Sequence, residues 1–408
     1  MLHALALRSA AVLATVGALA LGSLPAQAAS ERAVEVYPVA GASSITVTGN
    51  GYGHGNGMSQ WGAKGAAAQG LSWQQIIAFY YPGTTLGQTA GKVRVLLTAD
   101  TTNDVRIRAQ DGVRVRSLKK KRTWRLPDNG AVQWRLIGDR AATRVQFRKR
   151  AGWRNWKRFP GDAEFRSSTG PMTLITPAGR TDYRGALRSA SPTPGKNARD
   201  TVNVLSMEQY LRGVVPREIP ALWESAAVSS QSVAARTYAA FERADNASRY
   251  YDLCDSESCQ VYGGVADEHS AANAAIAATK GSIVLWEGTP AFTQFSASNG
   301  GYASAGSQPY LVAQPDPYDT AYRAWSVPVS DTALEAQWPA VGDLTSIEVT
   351  GRDGNGEWGG RVTSMALVGT AGRVEITGDD FRFAFGLRSD WFTLAVQPVS
   401  RRVPVELP

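Results

Sequence analysis

Histidine and cysteine are the scarcest reactive residues of this chain. Only three histidines and two cysteines occur among its 408 residues. Metallopeptidase and metalloamidase sites usually draw on two or three histidines, and no HExxH spacing is present. The GxSxG nucleophile elbow and the phosphate-binding P-loop are absent as well. The chemistry that remains is that of carboxylates, which outside the cell is typical of glycoside cleavage.

Long apolar runs are also lacking, except at the N-terminus. Residues 12–24 are small or aliphatic, follow Arg8, and lead into Ala26-Gln27-Ala28, a small-x-small pattern that a signal peptidase cleaves. The run is shorter than the roughly 20 apolar residues of a membrane span. Residues 1–28 are therefore predicted to be a signal peptide, with a secreted mature protein. An uncleaved anchor is the alternative.

Acidic residues are almost missing from one part of the chain. Residues 112–158 hold 16 lysines and arginines against only Asp128 and Asp139, whereas the whole chain has a net charge of +8. Such an imbalance favours an anionic partner, and export makes nucleic acid the least suitable one. A merely solvated basic surface is the alternative. Four tryptophans interleave with the charge, which suits sugar stacking as well as core packing: Trp124, Trp134, Trp153 and Trp156.

The two cysteines are close together in sequence. In an oxidising compartment, Cys254 and Cys259 are predicted to form a disulfide that closes a short loop. Zinc ligation by the pair is the minor alternative, since His269 is the only histidine nearby in sequence. We expect no cofactor and no metal site.

Glycine recurs at every second position from Gly51 to Gly57. This spacing does not suit the interior of a strand or helix, and it lets the backbone turn tightly or approach another group closely. A purely structural loop and a loop at a functional site are both compatible with the pattern.

One glutamate stands out among the carboxylates. Glu218 lies in an apolar turn between Pro216 and Pro220. Loss of solvation there would raise its pKa and suit it to donate a proton near neutral pH. Arg217 either points away from this carboxyl or pairs with it, and a surface salt bridge is the alternative interpretation of the segment.

A long helix is predicted from Glu224 to about Arg243. Its small residues indicate close packing, and three long polar side chains interrupt them: Gln231, Arg236 and Tyr238. These three are predicted to point into a cleft beside Glu218.

Several of these segments together resemble the sporulation stage II protein D and LytB (amidase enhancer) family. Residues 51–63 are similar to its GxGxGHGxGMSQxGA block, and residues 210–220 with 231–238 to its YLxGVVxxEMP and AQAVAARTY blocks. Smaller motifs at 259–262, 298–301 and 386–389 also match.

The order of the blocks differs from the family pattern. The glycine block stands ahead of the GLRS motif at Gly386, whereas the sporulation proteins have it afterwards. This is a circularly permuted order, which is tolerated when the ends of a domain lie close together. Residues 46–86 are accordingly predicted to pack beside residues 375–393.

The resemblance implies an enzyme that cleaves the glycan strands of peptidoglycan without water and leaves 1,6-anhydro-muramic ends. Glu218 matches the catalytic glutamate of the family. The residues proposed to bind substrate are His54, Ser59, Gln60, Gln231, Arg236, Tyr238 and Ser298. Because LytB relatives are linked to the enhancement of an amidase, a non-catalytic wall-binding protein that recruits or stimulates an N-acetylmuramoyl-L-alanine amidase is the alternative.

The predicted fold is α+β, with a mixed catalytic domain completed by both chain ends and a β-rich basic insert. The expected boundaries are a signal peptide (1–28), a linker (29–45), the glycine-block segment (46–90), a β-rich region (91–200) with the insert at about 112–158, the main catalytic domain (201–395) and a tail (396–408). Besides glycan strands, the expected partners are an anionic wall polymer and a cell-wall amidase. The residues proposed to bind the polymer are Lys119, Lys120, Lys121, Arg122, Arg148, Lys149 and Arg150.

Overall fold

Strands outnumber helices in this chain, which has 38% strand and 22% helix, and the α+β prediction is confirmed. The computed structural model describes residues 34–39, 41 and 43–398. The predicted signal peptide, part of the predicted linker and most of the tail lie outside the described residues.

The described residues form 27 strands, many of them short. In chain order they are β1 (Glu35–Pro38), β2 (Ser43–Gly49), β3 (Met58–Ser59), β4 (Thr85–Gln88), β5 (Lys92–Leu96), β6 (Asp104–Arg108), β7 (Val113–Ser117), β8 (Arg122–Arg125), β9 (Gln133–Asp139), β10 (Ala142–Lys149), β11 (Gly152–Pro160), β12 (Ala163–Ser167), β13 (Met172–Thr176), β14 (Gly179–Tyr183), β15 (Ala186–Ala190), β16 (Asp200–Ser206), β17 (Leu253–Cys254), β18 (Ser282–Trp286), β19 (Thr289–Pro290), β20 (Phe295–Ser296), β21 (Tyr302–Ala303), β22 (Gln314–Pro315), β23 (Trp325–Ser330), β24 (Leu344–Arg352), β25 (Val362–Gly369), β26 (Arg373–Ile376) and β27 (Phe392–Pro398).

The same residues form eight α-helices. They are α1 (Gln60–Ala68), α2 (Trp73–Tyr80), α3 (Met207–Arg212), α4 (Val215–Glu218), α5 (Ser225–Asp245), α6 (Ser270–Ala278), α7 (Asp331–Gln337) and α8 (Gly378–Ala384). Three single 3-10 turns are at Val265–Asp267, Pro339–Val341 and Glu357–Gly359. The capping boxes at Ser72 and Ser206 begin α2 and α3, because each serine accepts from a backbone N–H three residues on while that glutamine reaches back.

The β-rich region is continuous with the helical part of the protein. A seven-stranded sheet (order β17-β5-β16-β15-β12-β7-β8) and a six-stranded sheet (order β11-β10-β9-β6-β13-β14) share one hydrophobic core. Alternation places Val113 and Val115 inside that core and Arg114 and Arg116 outside it. Residues of α3, α4 and α5 belong to the same core, so the basic stretch is part of this body and not a separate unit.

Segments near the two ends of the described residues meet, as the permuted motif order predicts. Strand β2 lies between β23 and β27 and pairs antiparallel with both. Just beyond β2, the Gly53 amide donates to the Arg388 carbonyl at 2.8 Å and the Asn50 amide to the Trp391 carbonyl at 2.9 Å. These contacts hold the glycine loop (residues 51–57) against the C-terminal part of the chain.

Within the part of the chain that the structure describes, we find no helix with both the length and the apolar character needed to cross a membrane.

Candidate active site

A cleft of about 480 Å³ brings together segments that are far apart in sequence. The glycine loop contributes Tyr52 to His54, and the end of α4 contributes Glu218. Tyr238 of α5, residues 257–261 and residues 292–297 form the remaining walls. The cleft therefore collects three of the predicted site residues: Glu218, Tyr238 and His54.

The glycine loop is shaped by a close approach to the chain itself. Gly57 has a φ of +66°, and a Cβ at this position would collide with the carbonyl oxygen of Gln294. Gly53 has a φ of +104°, and a Cβ added at this position would lie 2.7 Å from the Cβ of Ser296. Both positions require glycine because the backbone is left-handed and lies against the 292–297 wall. The glycine pattern thus has a structural cause at the edge of the cleft.

Glu218 is a largely buried carboxyl group at the end of α4. Pro216 lies in the first turn of this helix, and Val215 and Ile219 on either side of the turn are buried. Burial raises the pKa of Glu218 to about 7, against the opposing effects of the Arg217 charge and a hydrogen bond from Gln60. Burial is the largest of the three effects, so the group is poised to exchange a proton near neutral pH.

Arg217 does not form an ion pair with the neighbouring glutamate. Its Nη1 lies 3.5 Å from Oδ2 of Asp267, and its side chain is 48% exposed. Water around this guanidinium screens its charge, which explains why its effect on Glu218 is weaker than that of burial.

Gln60 and Gln231 connect α1 and α5 behind the glutamate. Gln60 hydrogen-bonds to Glu218 through its side chain, and its Nε2 lies 3.4 Å from Oε1 of Gln231. Gln231 is fully buried, so it supports Gln60 and does not face the cleft. Of this pair, Gln60 acts on the carboxylate directly and Gln231 positions it.

His54 lines the cleft as a neutral ring. Burial, together with the charges of Arg361 and Arg382, lowers the pKa of His54 to about 4. Its Nδ1 accepts from the Asn56 amide at 2.9 Å, and the ring also hydrogen-bonds to the Phe295 backbone. Because Nδ1 is an acceptor, the proton of the neutral ring resides on Nε2. His54 therefore cannot supply a positive charge near neutral pH.

Tyr238 presents an aromatic ring and a hydroxyl to the same cleft. Its ring packs against Phe292 with centroids 5.7 Å apart, and its side chain hydrogen-bonds to Glu242. Burial raises the pKa of the Tyr238 phenol, so the hydroxyl stays protonated and donates its hydrogen bond to Glu242.

The predicted disulfide is present between Cys254 and Cys259. Cys259 lines the cleft together with Glu257 and Ser258. The disulfide loop (residues 254–259) is thus one wall of the cleft, next to β17, which pairs with β5.

Arg236 does not face the cleft, contrary to the prediction. The side chain is fully buried, and its Nε and Nη2 lie 3.0 and 2.8 Å from the two carboxylate oxygens of Glu208. Its other donors reach the carbonyls of Ser282 and Ile276 at 3.1 and 3.2 Å. Arg236 therefore joins α5 to α3, α6 and β18, and has no route to a bound substrate.

Ser59 and Ser298 are also buried and were predicted to bind substrate. Both hydroxyls donate to Oδ2 of Asp319, at 2.7 and 2.8 Å. Their exposure is 1% and 0%, so they hold the glycine block and the 298–301 motif together.

Asp316 and Asp319 are the residues that the sequence interpretation missed. Asp316 accepts from the Tyr80 hydroxyl and from Asn299 Nδ2, both at 2.7 Å, and burial raises the pKa of Asp316. The Asp-Pro-Tyr-Asp spacing (316–319), two acids around a proline close to the 298–301 motif, was the available signal. This network fixes the far side of the glycine loop.

The basic residues predicted to bind a wall polymer fall into two separate groups. Lys119, Lys120 and Lys121 lie in the β7–β8 turn and Arg122 begins β8. In this turn the Leu118 amide donates to the Asp162 carbonyl, beside the start of β10. Arg148, Lys149 and Arg150 lie at the other end of β10, roughly 24 Å along the strand. The structure does not bring the two groups together.

Comparison with known proteins links part of the chain to a family. Residues 195–286 match the profile of the family described as stage II sporulation protein (SpoIID). The amidase enhancer of Bacillus subtilis (strain 168) is 34% identical over 133 residues, which is 31% of this chain and 18% of that protein. Stage II sporulation protein D of Bacillus amyloliquefaciens is 27% identical over 221 residues, 48% of this chain and 61% of that protein.

The matches cover less than two thirds of either relative's length. The matched segment 195–286 contains Glu218, Gln231, Tyr238 and the disulfide, but not the glycine loop. No significant match to a solved structure was found.

Proposed function

This chain carries a domain of the stage II sporulation protein D and LytB family, and from that premise we propose that it is a lytic transglycosylase that cleaves peptidoglycan glycan strands. The observation that carries the proposal is Glu218, a carboxyl with a pKa of about 7 in a cleft of about 480 Å³. Glycoside cleavage requires a group that is protonated near neutral pH and can then act as a base.

Glu218 would act twice in one turnover. Its proton passes to the glycosidic oxygen as the bond from that oxygen to C1 of the muramic residue breaks. The 6-hydroxyl oxygen of the same sugar then bonds to C1, and the hydroxyl proton returns to the Glu218 carboxylate. The products are a free chain end and a 1,6-anhydro end, and no water is consumed.

Gln60 supports the second half of this cycle. Its hydrogen bond stabilises the ionised form of Glu218, which exists only after the proton has left. Burial favours the protonated form that begins the cycle. The two effects together keep both protonation states accessible, as a group acting in turn as acid and base requires.

The walls of the cleft suit a neutral sugar. The Tyr238 hydroxyl and the His54 ring are neutral polar groups, and Phe292 packed against Tyr238 adds an apolar wall. Neutral polar groups with aromatic surface are the combination that binds sugar hydroxyls and ring faces. The protein would meet this substrate outside the cytoplasmic membrane, in the cell wall.

A non-catalytic role is favoured by one observation, the 34% identity to a protein named amidase enhancer. In that case the chain would bind the wall and stimulate an N-acetylmuramoyl-L-alanine amidase. Glu218 would then have no chemical task, and its substitution would leave the stimulation intact.

Mass spectrometry of the products released from purified peptidoglycan, with and without stem peptides, separates the two functions. The wild type is expected to give ends lighter by one water than hydrolytic ends, with no oxygen taken up from isotopically labelled water. Glu218→Gln should give none. Glu257→Gln is the matched control, because Glu257 lines the same cleft but lies exposed in the disulfide loop.

Each other outcome has a definite meaning. Labelled reducing ends would show that water attacks C1, so the chain would be a hydrolase. Binding without new ends on either form of the substrate would reject glycan cleavage. Stimulation of an amidase by both the wild type and Glu218→Gln would then establish the non-catalytic role.

A further inference from the structure

The outer surface of the six-stranded sheet is a regular array of arginines. Three rows of register partners cross β6, β9, β10 and β11 on this surface. The rows are Arg108–Gln133–Arg148–Trp153, Arg106–Arg135–Gln146–Asn155 and Asp104–Ile137–Arg144–Arg158. We call the surface defined by Arg106, Arg108, Arg135, Arg144, Arg148 and Arg158 the arginine face.

The residues between those of the arginine face point inward and make it rigid. Ile107, Leu136 and Val145 alternate with the arginines and belong to the main core. Within the middle row, Arg135 Nε donates to Gln146 Oε1 and Gln146 Nε2 donates to Asn155 Oδ1, both at 2.8 Å. The backbone thus holds the rows at strand spacing, and hydrogen bonds also fix the side chains of the middle row.

Acidic residues neutralise only part of this surface. Asp104 is shared by Arg106 and Arg135, each 3.0 Å away. Asp139 is likewise shared by Arg144 and Arg158, each at 2.7 Å. Each carboxylate therefore pairs with two guanidinium groups, so each set of one aspartate and two arginines keeps a net charge of +1.

Arg108 and Arg148 add two further charges. Both side chains are exposed, and no ion pair to either is formed among residues 34–39, 41 and 43–398. They flank Gln133 in the first row, next to Trp153. This row is the most cationic part of the arginine face that is free to meet a ligand.

Aromatic stacking is limited on the arginine face. Trp153 stacks with Arg135, whose guanidinium carbon is 4.1 Å from the ring centroid, and Arg106 lies 5.7 Å away. Trp134 is 3% exposed and packs against Trp156 on the inner side, and Trp124 stacks on the buried Phe159. Single-stranded nucleic acid requires successive aromatic platforms for its bases, and the arginine face does not offer them.

We propose that the arginine face binds an anionic polymer of phosphodiester-linked units that lack bases. Arginine suits this ligand because its planar fork can donate two hydrogen bonds to one phosphate, and the face contains arginines and no lysine. Regular strand spacing matches a ligand whose charges repeat along a chain. That the polymer belongs to the cell wall rests on the proposed function, whereas the binding itself does not.

This assignment differs from the residues expected from sequence. Of those seven residues, only Arg148 belongs to the arginine face. The Lys119–Lys121 group lies in a turn at the far end of β10, and its exposed lysines lack the planar fork with which arginine can donate two hydrogen bonds to one phosphate.

Titration calorimetry of the full chain with a synthetic glycerol phosphate polymer tests the proposal, with no glycan present. The variant Arg108→Gln/Arg148→Gln should bind about tenfold more weakly at low salt, because two unpaired charges are lost. Lys119→Gln/Lys120→Gln, with the same loss of net charge, is the matched control and should bind as the wild type does. Thermal melting checks that both variants fold. We expect both to fold because the substituted side chains are exposed.

Three outcomes would overturn the proposal. Equal weakening in both double variants would mean that net charge alone attracts the polymer. Tighter binding of a base-containing single-stranded oligonucleotide of equal charge would assign the face to nucleic acid. Equally tight binding of polyglutamate would remove the preference for phosphodiesters. Because the assay contains no cleavable glycan, failure of the transglycosylase proposal would not affect any of these results.

Discussion

The side chain of Gln60 hydrogen-bonds to the carboxylate of Glu218. Gln60 begins α1 directly after the glycine loop, with Ser59 as the N-cap, whereas Glu218 ends α4 much later in the chain. The permuted glycine block therefore reaches the centre of the site and does more than close the domain. It places an amide against a carboxyl whose pKa is set near neutrality.

The rate of glycan cleavage should fall as the pH rises through about 7. Only protonated Glu218 can donate to the glycosidic oxygen, and burial sets the pKa of Glu218 at about 7. We expect kcat/KM to be level below this value and to fall about tenfold per pH unit above it. Initial rates of anhydro-end formation, measured from acidic to alkaline pH, would show this decrease in kcat/KM. If kcat/KM instead began to fall near the ordinary pKa of glutamate, Glu218 would not be the proton donor.

Gln60→Met should raise the pH at which kcat/KM begins to fall. The Gln60 hydrogen bond lowers the pKa of Glu218, so its removal leaves burial less opposed and raises the pKa further. Gln74→Met is the control, because Gln74 is exposed on α2. The same pH–rate measurement is made on both variants. If kcat/KM of Gln60→Met falls at the same pH as that of the wild type, the Gln60 amide does not act on the Glu218 carboxylate.

Local sequence features predicted the parts of the site that depend on neighbours along the chain. Two prolines and apolar residues around Glu218 were enough to predict a raised pKa, and the spacing of Cys254 and Cys259 was enough to predict the disulfide. Small residues predicted α5, which the structure places at Ser225–Asp245. The alternating glycines predicted a close approach, although not what the loop approaches.

Features that depend on packing direction could not be predicted. Helix α5 is buried at 13 of its 21 residues, so its pattern has no polar side to show which way Arg236 and Gln231 point. The contact of Gln60 with Glu218 depends on tertiary packing between distant segments. The basic region was expected to be an insert because strand pairing such as β5 with β16 is non-local and leaves no mark in composition.

Glu218→Gln should stabilise the protein at neutral pH while it abolishes cleavage. The folded pKa of about 7 lies above the ordinary value of 4.5, so the folded state holds this proton more tightly than the unfolded state does. Stability therefore falls as the pH rises from about 4.5 to 7, by up to about 3 kcal/mol. Glutamine does not ionise, so the variant does not lose this stability as the pH rises.

Urea unfolding at two pH values would measure this effect. At pH 8 the variant should have the higher free energy of unfolding, and at pH 4 the difference should vanish, because both states of the wild type are then protonated. Glu257→Gln should show no comparable gain, since Glu257 is exposed. Equal stability of wild type and Glu218→Gln at pH 8 would contradict burial as the cause of the raised pKa.

Removal of the disulfide should affect activity more than stability. Cys254 and Cys259 are five positions apart, and closing so short a loop contributes about 2 kcal/mol on a chain-entropy estimate. The disulfide loop forms one wall of the cleft, so Cys254→Ser/Cys259→Ser should raise KM for glycan strands. Thermal melting and steady-state kinetics of the double variant, compared with the wild type under oxidising and reducing conditions, would check both effects. An unchanged KM would show that this wall does not contact substrate.

Arg236→Met should lower stability and leave the kinetics of the folded protein unchanged. Glu208 would lose its ion partner, and the carbonyls of Ser282 and Ile276 would lose a donor, at a cost of about 3 kcal/mol. The double variant Arg236→Met/Glu208→Leu removes the stranded charge and should recover part of this loss. Urea unfolding gives the free energies, and kcat/KM per folded molecule tests the site. A selective rise in KM without a loss of stability would instead place Arg236 in contact with substrate, against its complete burial.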